Sequence, residues 1–158
     1  MILDFTAEDK YYYWLMISIG LDEELVGYIR DCAESDEEVS ELILELYNDI
    51  QDRNALKRIL YLSHIKSTEI NKDSVETRIL NYFYSNLLNQ TLTLNQIGEY
   101  LGKLYALEPE WTDFEWISEN YSLAVDGIFS FKEADNRLRR YLKENSSINA
   151  ELRHEKKD

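Results

Sequence analysis

The sequence predicts an all-α fold, a single-domain antiparallel bundle of about eight helices with no significant sheet. Three observations predict it. Apolar residues recur at helical spacing through almost every segment. The 158 residues include only one proline and five glycines, few breaks for so long a chain. Four capping boxes stand where helices should begin, at Ser35–Glu38, Thr93–Gln96, Thr112–Glu115 and Ser130–Glu133. Two of them carry a hydrophobic staple, Leu92 with Ile97 and Trp111 with Trp116.

Each helix has its own warrant. The first, about 7–18, is apolar nearly all round (Tyr12, Trp14, Leu15, Met16, Ile17), as a central buried helix should be, and ends near Gly20. The second, about 22–32, carries Leu25, Val26 and Ile29. The third, about 36–51, sets Val39, Leu42, Ile43, Leu46 and Ile50 on one stripe, and the fourth, about 53–65, does so with Leu56, Ile59, Leu60 and Ser63. The fifth, about 74–89, uses Val75, Ile79, Phe83 and Leu87. The sixth, about 94–106, uses Leu94, Ile97, Leu101 and Leu104 before Pro109 prevents continuation. The seventh spans about 113–125 and stops at Gly127; the eighth, about 131–144, offers Phe131, Ala134, Leu138 and Tyr141. No strand is expected, because the Asp-Gly of VDGIFSF lacks a flanking partner. No linker or fixed-period repeat divides the chain, so 1–144 is expected to be one helical domain and 145–158 a mobile tail or frayed helix.

Charge is the distinctive property. The net charge is -14, and residues 1–50 hold 14 acids against Lys10 and Arg30. A small domain stays soluble with a charge of about 2–8 in magnitude, so the excess points to a face that meets something positive. On the third helix Glu38, Glu41, Glu45 and Asp49 share one stripe, roughly 115° from the apolar one. Acids in the first turn, including Glu37, complement the helix N-terminus, but Glu45 and Asp49 sit where carboxylates are unfavourable. Their i,i+4 repulsion totals on the order of 1 kcal/mol, which a basic partner would reverse. A second cluster, Glu108, Glu110, Asp113, Glu115, Glu119 and Asp126, is interleaved with Trp111, Phe114, Trp116 and Tyr121. Carboxylates among aromatics suit the docking of an arginine-rich surface. The plainer alternatives stand beside this: a solvated charge run, tryptophans in the core, or neutralisation by Arg137, Arg139, Arg140 and Lys143 of the last helix.

Several functions are disfavoured. Phosphate and anionic lipid repel such a chain, so direct nucleic-acid and membrane binding are not expected. The longest apolar run, 11–21, is shorter than the about 20 residues that span a bilayer. The acidic N-terminus lacks a signal-peptide pattern and Cys32 stands alone, which points to the cytoplasm. Cys32 lies between Asp31 and Glu34, which disfavour its thiolate. His64 reads as a packed or capping residue. His154 completes one Glu-x-x-His with Glu151, where a di-iron bundle needs two. With no zinc spacing, P-loop, G-x-S-x-G or G-x-G-x-x-G, no metal, cofactor or enzymatic activity is expected.

The acidic helices (Asp22, Glu23, Glu24, then Asp36 to Asp49) and the run EPEWTDFEWISENY at 108–121 make the chain similar to the small, acidic, all-helical bacterial immunity proteins that neutralise a cognate toxin. The resemblance implies a cytoplasmic inhibitor whose acidic surface covers the basic active site of a nuclease-type toxin domain. The partner-binding residues expected from charge and aromatic placement are Glu37, Glu38, Glu41, Glu45, Asp49, Glu110, Trp111, Asp113, Phe114 and Glu115. The alternatives are a DNA-mimic inhibitor of a DNA-binding or defence enzyme, and a helical regulatory or scaffold module.

Overall fold

A computed structural model describes residues 1–64 and 69–148, with the side chain of His64 outside that description. The tail beyond 148, including Glu151 and His154, also lies outside the described residues. The fold is all-α. Its elements run β1 (Ile2–Leu3), α1 (Ala7–Ser18), α2 (Glu23–Ala33), β2 (Glu38–Val39), α3 (Glu41–Asn48), α4 (Arg53–His64), α5 (Lys72–Leu88), α6 (Leu94–Leu107), α7 (Thr112–Val125) and α8 (Phe131–Asn145). No helix among the described residues is long and apolar enough to cross a membrane.

The chain falls into two compact units, Met1–Val75 and the residues from Glu76 on. The division lies in the first turn of α5, inside a helix, so no proline- or glycine-rich linker marks it in the sequence.

In the first unit α1 is the central element, as its all-round apolar composition requires. It buries Tyr11, Tyr12, Tyr13, Leu15, Met16 and Ile17 and packs on α4. Thr6 and Asp9 form a reciprocal capping box that the search for Glu or Gln at the third position passes over. The Tyr12 hydroxyl donates to Glu24, which fastens α2 to α1. Phe5, Tyr13 and Tyr28 make an aromatic cluster with ring centroids 5.1–6.2 Å apart.

The third helix is the main departure from the sequence reading. It has eight residues, starting at Glu41 instead of about 36. The Ser35–Glu38 box does not form, because the Ser35 hydroxyl donates to the Cys32 carbonyl at 2.7 Å and finishes α2. Glu38 and Val39 instead pair in parallel with Ile2 and Leu3, in the register Ile2↔Glu38, Leu3↔Val39. The Ser40 amide extends the ladder by donating to the Leu3 carbonyl. Ser40 is the true N-cap: its hydroxyl accepts from the Ile43 amide, and apolar Ile43 at the third position hides it from a capping-box search.

In the second unit α6 and α7 pack most closely. Gly98 lies against the Tyr121 ring and Gly102 against Ser118, where side chains would hold the helices apart. Phe83 of α5 stacks on Tyr100 of α6 at 6.0 Å. The Thr93–Gln96 box forms with both bonds. Ser130 caps α8, but Glu133 turns to Arg137 at 3.2 Å and leaves that box half made. Trp111 precedes α7 with no side-chain cap, so Thr112–Glu115 is not a capping box either. The start of the expected tail is anchored. Ser146 is buried, and Ser147 exchanges two hydrogen bonds with Asn81 at 2.7 and 2.8 Å.

Candidate protein-binding face

The short α3 rearranges the acidic stripe. Only Glu41 and Glu45 are on the helix; Glu38 is on β2, Glu37 precedes it, and Asp49 closes the C-terminus of α3. The expected run of i,i+4 repulsions therefore shrinks to Glu41–Glu45, with Asp49 one step beyond. All five carboxylates are exposed. Among the described residues no ion pair or side-chain hydrogen bond engages them. Other acids of the same unit are used by the fold. Asp22 pairs with Arg53 at 3.2 Å, Glu24 accepts from Tyr12, and Asp52 accepts from the Ala55 amide at the head of α4.

Glu41 and Glu45 stand over a recess between α3 and α4 of about 260 Å³, lined also by Leu42, Ile59, Leu62 and Ser63. Leu62 is 56% exposed, and on α3 Leu44 and Tyr47 are 49% and 40% exposed. Leu62, at the recess, and Leu44, beside Glu41 on α3, thus border the unneutralised carboxylates, while Tyr47 lies on the far side of α3, about 160° from Glu45 at 100° per residue. Leu44 and Leu62 are functional candidates that the charge argument missed. They were marked by being apolar yet off the buried stripes of their helices.

The second cluster is arranged differently. Trp111 and Phe114, placed among the expected partner-binding residues on the condition that they were exposed, are 6% and 0% exposed and pack on one another with centroids 5.4 Å apart. They are core residues of the second unit and cannot anchor a partner. The exposed tryptophan is Trp116, with Arg137 lying 5.6 Å over its ring. The same guanidinium covers Phe129 at 4.7 Å. Asp113 and Glu115 are exposed but act on neighbouring tyrosines, and Glu110 is also engaged. Hydrogen bonding to Glu115, then its charge, raises the Tyr105 hydroxyl above its ordinary range. Burial raises Tyr141, helped by the charges of Glu76 and Asp113. Burial also raises Tyr121, whose hydroxyl donates to Asp135 at 2.7 Å, while Arg139 opposes the shift. In the first unit burial and then Cys32 push Tyr28 up to about 12.

These phenols predict alkaline behaviour. In the unfolded chain they ionise near pH 10; in the folded protein they hold their protons to higher pH. Above about pH 10 the unfolded state therefore binds fewer protons than the folded one, and stability falls as pH rises. Urea midpoints should be steady just below that pH and decline above it, with native tyrosinate absorbance lagging behind that in urea. A midpoint unchanged to about pH 11 would contradict the assignment.

Among the described residues no group of three or more His, Cys, Asp or Glu is placed to hold a metal ion. The fold and this face define an all-α protein with an acidic, partly apolar surface on its first unit. No family model, curated protein or solved structure matches the chain.

Proposed function

We propose that this chain is a non-enzymatic binding protein whose acidic face covers a basic surface of a partner protein, as an immunity protein covers a nuclease-type toxin domain. The supporting observation is the set of exposed carboxylates of Glu37, Glu38, Glu41, Glu45 and Asp49, without an intramolecular cation among the described residues, with exposed Leu44 and Leu62 bordering Glu41 and Glu45. Solubility alone would not require acids gathered around apolar side chains. A partner would supply both the missing cations and the missing apolar contact, the usual division between steering and anchoring at an interface.

The mechanism is occlusion. Long-range attraction speeds the encounter of the acidic face with a basic one. The carboxylates then occupy Arg or Lys side chains that would otherwise hold phosphate, and the apolar residues exclude water from the contact. The test is co-purification of the tagged protein from its source cells, with the Glu41→Lys/Glu45→Lys double variant in parallel. The wild-type protein should retain a basic protein whose activity it blocks. The variant should bind that protein at least about tenfold more weakly. Binding should also weaken as salt shortens the screening length to about 3 Å at 1 M. Undiminished binding by the double variant would place the interface elsewhere.

A further inference from the structure

Surface charge in the second unit is sorted by helix. On α7 Glu115, Glu119, Ser122 and Asp126 are spaced four, three and four apart, and on α8 Lys132, Asn136, Arg139 and Lys143 repeat that spacing. At 100° per residue each set falls within about 60°, away from the buried residues of its helix. All eight residues are exposed. The α7 stripe thus carries acids and no base, and the α8 stripe carries bases and no acid. Each runs about 16 Å along its helix.

The two helices are antiparallel neighbours. The Tyr121 hydroxyl of α7 donates to Asp135 of α8, and Arg137 lies over Trp116, so position rises along α8 as it falls along α7. Asp126 and Lys132 are therefore nearest the turn between the helices, and Glu115 and Lys143 are farthest from it. Among the described residues no ion pair joins one stripe to the other. On the seam between them Trp116 is 47% exposed, and the turn exposes Ile128 at 73%.

We propose that this face binds a second copy of the chain about a two-fold axis that runs between α7 and α8, parallel to both. Such an axis lays α7 of each copy on α8 of the other at the same height. Asp126 of one copy then faces Lys132 of the other, Ser122 faces Asn136, Glu119 faces Arg139 and Glu115 faces Lys143. Every acid meets a base, and the two neutral positions meet each other. An axis running across the helices would set acid on acid and base on base, which like-charge repulsion disfavours. The same axis follows the seam, so Trp116 and Ile128 approach their own counterparts. Exposed ion pairs alone are weak, and these two side chains supply the apolar centre that a stable contact needs. The contact is isologous and closes at two copies. Both copies are acidic overall, but that repulsion is screened beyond about 10 Å at 0.1 M salt, whereas the facing pairs lie closer. None of the α3 acids takes part, so this contact is independent of the proposed partner face.

The test is sedimentation equilibrium on the full chain in about 0.1 M salt. The wild-type protein should form a dimer below about 1 mM, with no larger species. Glu119→Lys/Asp126→Lys sets base on base, and Arg139→Glu/Lys143→Glu sets acid on acid. Each should weaken dimerisation at least about tenfold without changing the circular dichroism, since all four residues are at the surface. An equimolar mixture of the two variants should recover a one-to-one dimer, because each stripe again meets its opposite. A wild-type protein still monomeric at about 1 mM, open-ended oligomers, variants that dimerise as tightly as the parent, or a mixture that stays monomeric would each overturn the proposal.

Discussion

Replacing Phe114 by alanine is expected to destabilise the second unit by about 3–5 kcal/mol, the usual cost of emptying a fully buried phenylalanine site. Phe114 is 0% exposed, on the inner side of α7, with the Trp111 ring 5.4 Å away. Truncation loses the transfer energy of the ring and leaves a cavity that Trp111, itself buried, is poorly placed to fill. Since whole domains are stable by only about 5–15 kcal/mol, a visible fraction of unfolded protein should follow. Urea denaturation monitored by far-ultraviolet circular dichroism checks the value, and a loss below about 1 kcal/mol would show that the site is less well packed than its burial indicates. Any loss of partner binding by this variant should scale with unfolding, because the ring reaches no surface. Glu41→Lys/Glu45→Lys should behave in the opposite way, weakening binding while the fold persists.

Gly98→Leu is expected to cost about 3 kcal/mol, at the upper end for overpacking, by forcing α6 and α7 apart. Even a Cβ at Gly98 would lie 2.6 Å from Cδ2 and 2.8 Å from Cε2 of Tyr121, against about 3.5–4.0 Å for a comfortable carbon contact. The ring has little room to retreat, because it is buried and its hydroxyl is bonded to Asp135. Leucine favours a helix over glycine by about 1 kcal/mol, too little to offset that clash. Gly27 provides the control. It is exposed within α2 with nothing inside 4 Å of a built Cβ, so Gly27→Ala should stabilise by about 0.5–1 kcal/mol. Thermal melts of the two variants should move in opposite directions, and a Gly98→Leu melt at or above that of the parent would refute the close-packing account.

Helix positions were legible wherever the buried stripe and the boundary signals agreed. The first helix was placed at Ala7–Ser18 and the sixth and eighth within a residue at each end. The third failed because the apolar stripe continues through Val39, which fits a helix or a strand equally well. What decides between them is Ile2–Leu3, distant in sequence and able to offer a ladder to Glu38–Val39. The candidate site was legible in part for the same reason. Charge can be counted, so the acids at 37–49 were found. Exposure cannot, so Trp111 and Phe114 were placed among the partner-binding residues, while Leu44 and Leu62 were passed over.

The sequence by itself determined the helical class, the central place of α1, the caps at Thr93 and Ser130 and the concentration of negative charge, because each depends on residues within a turn or two of one another. Tertiary structure alone decided the parallel pairing of the N-terminus with Glu38–Val39, the division inside α5, and the burial of Trp111 and Phe114. It also decided which carboxylates are used by the fold and which remain open. Those outcomes depend on contacts between residues far apart in the chain, and a local pattern of apolar and polar positions does not specify which distant surface will cover it.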